Sequence, residues 1–227
     1  MAAAHEAVRN RIKNEAPFDI ILGFSQGAAL AASLLCHEEI QIQEKGEPQS
    51  PYYDSPSHPR LCRAAIFMCS PLPFSKSLKY GTDVRRHFGI TAAPLSSELQ
   101  RAAPHTSTTF PGTLMPSGRY LKPDQAELVG YLDKEEGGGI GPFYQMFHSD
   151  ADSLPRLSVP TVHVIGRFDQ LWRNHSRELV KMCIPLDRDC AAQRWVYEFE
   201  GGHEIPKDEE EIADICDMIK ELVEKIG

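Results

Sequence analysis

The chain has 227 residues, 41% hydrophobic and 25% charged, with a formal net charge of -8, enough for one sizeable globular domain of ordinary composition. The acidic balance argues against a nucleic-acid binder, which would show a basic stripe. No apolar run reaches the roughly 18 residues a membrane span needs, and Met1-Ala2-Ala3-Ala4-His5-Glu6 turns polar too early for a secretory signal.

Residues 3–15 carry a helical pattern, with Val8 and Ile12 four apart, and Pro17 ends it. The apolar run at 18–23 reads as a buried strand and the Ala/Leu-rich stretch 26–40 as a helix. Residues 43–60, rich in Pro, Ser, Glu and Tyr, have the composition of a solvated loop. A second strand is expected at 63–70. The stretch 71–150 holds eight of the 17 prolines and a glycine run at 137–139. It reads as a cap-like insertion with short helices, one near 123–133. Strands at 159–166 and 193–200 flank a helix at 175–183, and a helix at 207–226 closes the chain. In that last helix Ile212, Ile215, Cys216, Ile219, Leu222, Val223 and Ile226 form an apolar stripe, and acidic residues crowd the first turn, where the helix dipole favours them. The six cysteines form no C-x-x-C pair. They read as reduced packing thiols of a cytoplasmic protein without a zinc motif.

Strands alternating with helices predict an α/β fold with a mostly parallel sheet. Strands apolar almost throughout fit a sheet covered on both faces. In such sheets ligands bind beyond the carboxyl ends of the strands, so reactive residues are expected just after each strand.

After the first strand comes Gly23-Phe24-Ser25-Gln26-Gly27, a G-x-S-x-G match between an apolar strand and a small-residue helix. That setting is a nucleophile elbow, a sharp turn that lifts a serine hydroxyl above the sheet. The N–H of Gln26 then points from a helix N-terminus toward a reacting oxygen. A glycine-bounded turn with a helix-capping serine is the plainer reading.

A serine needs a base, and the base an orienting acid. Asp169 follows the third strand and His203 the fourth, in the order serine, acid, histidine. A turn cap is the alternative for Asp169 and a loop residue the alternative for His203. Among rivals, His163 lies inside a strand and reads as a core histidine, while His175 reads as a solvent-facing residue at a helix start. His203-Glu204-Ile205-Pro206-Lys207 lacks the second histidine of a zinc H-E-x-x-H motif.

With these residues in view, the chain resembles the FSH family of serine hydrolases, α/β-hydrolases common in fungi. "GFSQGAALAA", "AIFMCSPLPF", "YGTDVRRHFGI", "FYQMFHSDAD", "VPTVHVIGRFD" and "EGGHEIP" carry the resemblance over nearly the whole chain. It implies Ser25 as nucleophile, Asp169 as acid and His203 as base. The implied fold is a single α/β-hydrolase-like domain over 1–227, with 71–150 as a cap and no cofactor. The substrate implied is a small-molecule ester or thioester, and the middle phrases resemble members acting in fungal polyketide (secondary) metabolism.

One departure stands out. Family members begin with a strand ending in Leu-His-Gly and have further strands before the elbow. Here an N-terminally truncated sheet is expected, with the elbow strand as an apolar edge and without the loop that gives a second oxyanion N–H; the sequence is read as a fragment of a longer protein, a truncated homologue, or a chain whose edge a partner covers. Two functions follow. One is a hydrolase that forms an acyl-enzyme on Ser25, with the Gln26 N–H on the oxyanion. The other is a catalytically impaired homologue acting as a binding or scaffold protein. In the insertion Phe74, Phe88, Phe110, Met115, Phe143, Met146 and Phe147 either line an acyl pocket or form a small core.

Overall fold

A computed structural model describes residues 2–15, 18–46, 60–75, 80–83, 145–147, 154, 156–183 and 194–227. In chain order the helices are α1 (Ala2–Glu15), α2 (Gln26–Glu44), α3 (Arg173–Met182) and α4 (Glu209–Ile226). The strands are β1 (Ile20–Phe24), β2 (Ala64–Met68), β3 (Gly81–Asp83), β4 (Gln145–Phe147), β5 (Thr161–Gly166) and β6 (Arg194–Phe199). Four of them form one sheet in the order β1-β2-β5-β6, every pairing parallel. Its register aligns Gly23 with Phe67, Phe67 with His163 and His163 with Val196.

The period-2 alternation of a strand divides β2 between two cores. Ala65 and Phe67 face a cluster with Ala28, Ala32 and Leu35 of α2 and Leu179 and Met182 of α3. Ala64 and Ile66 face the other side, with Val162, Val164 and, from α4, Ile215, Leu222 and Ile226. Both sheet faces are therefore covered, which is why every residue of β5 and all of β2 but Met68 are buried. The buried alanines of α2 bring that helix close to the sheet. The α4 stripe is narrower than its sequence suggests. Ile215, Leu222 and Ile226 are buried, while Ile212, Val223 and Cys216 are exposed, because the helix meets the sheet along one seam only. Asp208 caps α4, its carboxylate accepting from the N–H groups of Glu210 and Glu211 at 3.0 and 3.1 Å.

A buried charge cluster fixes the amino ends of β2 and β5. Glu39 Oε1 on α2 accepts from Arg60 at 2.7 Å and from the Ser158 N–H at 3.1 Å. The neighbouring Glu38 accepts from the Leu61 N–H at 2.9 Å, and burial pushes its carboxyl pKa up.

Within 71–150, β3 and β4 form a two-stranded antiparallel sheet that the sequence reading did not anticipate. Met146 and Phe147 are buried in the α2 core with Phe74 packed beside them, and the Ser33 hydroxyl donates to the Phe74 carbonyl. These three residues belong to the main core. The helix expected near 123–133, with Phe88, Phe110, Met115 and Phe143, lies outside the described residues. Among the described residues β1 is an edge of the sheet, and Leu22 and Phe18 on it and just before it are exposed.

Candidate active site

The turn after β1 has the strain expected of an elbow. Ser25 sits at φ 51°, ψ -121°, a region non-glycine residues rarely enter. Its N–H donates to the Met68 carbonyl at 2.9 Å, tying the elbow to the end of β2. The hydroxyl makes no capping bond to α2, so the plain capping reading does not describe it. Gly23 is required by space: a Cβ there would lie 2.5 Å from the Ala28 backbone. Gly27 has open space beside it, so close packing explains only the first of the two glycines.

Asp169 and His203 leave the ends of the neighbouring strands β5 and β6. Backbone bonds zip their loops together, Arg167 N–H to the Phe199 carbonyl at 2.9 Å and Phe168 N–H to the Gly201 carbonyl at 2.8 Å. The three sequence candidates meet above the sheet. His203 Nε2 lies 2.7 Å from Ser25 Oγ, and His203 Nδ1 lies 2.8 Å from Asp169 Oδ2. The other carboxylate oxygen, Oδ1, accepts from the N–H groups of Leu171 and Trp172 at 3.1 and 2.9 Å. Asp169 is thus both a turn cap and the partner of His203. Its side chain is 1% exposed, against 29% for His203, and the Phe24 ring lies 5.3 Å from the imidazole. Gln26 opens α2, so its N–H is one of the unsatisfied donors of a helix N-terminus.

Two rival histidines are core residues. His163 is buried in β5, 3.0 Å from Thr161 Oγ1 and 3.5 Å from Cys183 Sγ, and burial lowers its pKa to about 3. His175 does not face solvent as expected. It is buried, and its Nδ1 accepts from the Leu72 N–H at 3.4 Å. Since α3 starts at Arg173, residue 175 turns inward. Beside it the Ser176 hydroxyl donates to the Ser70 carbonyl at 2.9 Å, which ties α3 to the segment leaving β2.

Cys69 is a residue the sequence reading passed over as packing. The strand expected at 63–70 ends at Met68, so Cys69 stands just past the carboxyl end of β2 and not inside it. Its φ is 47°, and its thiol donates weakly to the carbonyls of Glu204 at 3.5 Å and Gly202 at 3.9 Å, on either side of His203. Burial pushes this thiol pKa up. Donor atoms of Cys69, Asp169 and His203 all lie within 4.8 Å of one another.

A hydroxyl, an imidazole and a carboxylate in this chain of contacts can pass a proton from serine to histidine while the acid steadies the ring. Solved structures similar to the chain include the Zea mays acyl-protein thioesterase 2, at 15% identity and TM-score 0.41 over 99% of this chain and 64% of that one. Mouse alpha/beta hydrolase domain-containing protein 10 is similar at 12% identity and TM-score 0.43, over 98% and 69%. A curated relative, Esterase alnB of Emericella nidulans, is 24% identical over 221 residues, covering 91% of this chain and 67% of its own length. The chain thus spans about two thirds of the proteins it matches. The serine hydrolase (FSH1) family matches residues 1–215, and the chain belongs to that family.

Proposed function

We propose that the protein cleaves carboxylic esters or thioesters through an acyl-enzyme on Ser25. His203 Nε2 takes the hydroxyl proton as Oγ attacks the carbonyl carbon. The Gln26 N–H donates to the oxyanion, and Asp169 holds the Nδ1–H tautomer and balances the imidazolium. The imidazolium then protonates the leaving alcohol or thiol, and water, with His203 again as base, releases the acid. The 2.7 Å separation of His203 Nε2 from Ser25 Oγ carries this reading, since it is hydrogen-bond reach for a general base.

The substrate class rests on family membership, and a polyketide-derived acyl group rests on the sequence resemblance. A cytoplasmic location is in keeping with free cysteines at 36, 62, 69, 183 and 216, and no helix among the described residues is long and apolar enough to cross a membrane. The test is hydrolysis of p-nitrophenyl esters beside acyl thioesters of matched chain length. Ser25→Ala and His203→Ala are expected to lower kcat by about 10⁴-fold or more. A folded wild-type protein inert toward both series would favour the binding or scaffold alternative.

A further inference from the structure

We propose that Cys69, Asp169 and His203 form an inhibitory site for a thiophilic divalent cation of the zinc class. The three residues leave three adjacent strands, β2, β5 and β6, and bring a thiol, a carboxylate and an imidazole within 4.8 Å of one another. A mixed S, O, N set with an open fourth position suits zinc. Calcium and magnesium take oxygen donors and do not fit it. Tetrahedral zinc holds its donors about 3.3–3.8 Å apart, so the wider separations close by at most about 1.5 Å and the 2.8 Å His203 Nδ1–Asp169 Oδ2 contact opens by about 0.5 Å, within reach of thiol and ring rotation.

The backbone at Cys69 is strained as well, at φ 47°. Among the described residues only Ser25 and Cys69 are non-glycine residues at positive φ, and each points its side chain at the His203 loop. A strained non-glycine backbone persists where the surroundings impose it, and such residues gather at functional sites. The thiol bonds only weakly to the carbonyls flanking His203, so it is available to a stronger partner. Cys69 and Asp169 are buried while His203 is part exposed, so the cation enters from the imidazole side.

Binding balances in charge and protons. The Cys69 thiol gives its proton to solvent, and thiolate and carboxylate neutralise the two positive charges. The metal takes the lone pair of His203 Nδ1, and the proton held there moves through solvent to Nε2. Nε2–H no longer accepts a proton from Ser25, so the hydrolase is off. The inhibition rests on the function proposed above; the binding does not.

The test uses the full chain with Cys190→Ser and Cys216→Ser, which leaves Cys69 and the buried Cys36, Cys62 and Cys183. Cobalt(II) titration reads the thiolate-to-cobalt charge-transfer absorption, and zinc titration reads p-nitrophenyl acetate hydrolysis. The parent is expected to show the cobalt band and chelator-reversible zinc inhibition. Cys69→Ser is expected to lose the band and to raise the zinc midpoint about tenfold or more, each variant being compared with its own metal-free rate. If the serine variant does not fold, Cys69→Ala carries the comparison. A cobalt band that survives in the variant, an unchanged zinc midpoint, or a parent without a cobalt band would overturn the proposal. A parent that shows the band but hydrolyses nothing keeps the site and sinks only the hydrolase reading.

Discussion

Gly166 lies against Gly202 so closely that a Cβ on it would sit 2.0 Å from the Gly202 carbonyl oxygen. The end of β5, which carries Asp169, is thereby locked to the loop that carries His203. Gly166→Ala must push that loop away from Ser25. The expected result is a kcat lower by about 10²-fold, the scale of a 1 Å misplacement, with a stability loss of about 1–3 kcal/mol. Kinetics beside urea denaturation check both, and a variant with wild-type kcat would show that the loop yields without moving the imidazole.

The two elbow glycines are expected to behave differently. Gly23→Ala meets the Ala28 backbone at 2.5 Å, whereas Gly27→Ala meets nothing within 4 Å. The first should destabilise by about 1–3 kcal/mol. The second should stabilise α2 by about 0.5–1 kcal/mol, as alanine replaces glycine in a helix. Thermal denaturation of the two variants side by side decides it, and equal losses would contradict the packing described for the elbow.

Much of this was legible because local pattern and tertiary environment agree. The segments at 18–23, 63–70, 159–166 and 193–200 read as strands, and Ser25, Asp169 and His203 stand just after strand ends, where parallel sheets gather reactive groups. Other features were hidden for physical reasons. At three residues each, β3 and β4 are too short to show an alternation. His175 turns inward because α3 begins two residues earlier than its apolar pattern. Cys69 gains its neighbours only when β2, β5 and β6 lie side by side, which spacing along the chain does not record.

Arg60 and Glu39 form a pair at the amino ends of the strands, with side chains 5% and 1% exposed. Arg60→Ala leaves the Glu39 carboxylate buried without its cation, and a loss of about 3–5 kcal/mol is expected. Because this cluster lies at the opposite end of the sheet from Ser25, kcat of the folded fraction should stay near wild type. Chemical denaturation with activity normalised to folded protein tests it; a large kcat loss at full folding would contradict the separation.

His163 sets a pH dependence. Its pKa falls from 6.5 to about 3 on burial, so the unfolded chain takes up the proton first. Stability held by the neutral ring is complete above about pH 6.5 and falls as pH drops from 6.5 toward 3, by about 1.4 kcal/mol per pH unit. His163→Asn should remove that part of the acid slope. Urea midpoints between pH 7.5 and 4.5 for both proteins give the difference, and parallel curves would contradict a neutral core histidine.

The central claim is that His203 makes the Ser25 hydroxyl a nucleophile. Peptide-level mass spectrometry after reaction with a fluorophosphonate tests it most directly. The account predicts one phosphonyl adduct on Ser25, formed at least about 10²-fold more slowly in His203→Ala. An adduct on another residue, or equal rates at Ser25 with and without the imidazole, would contradict it.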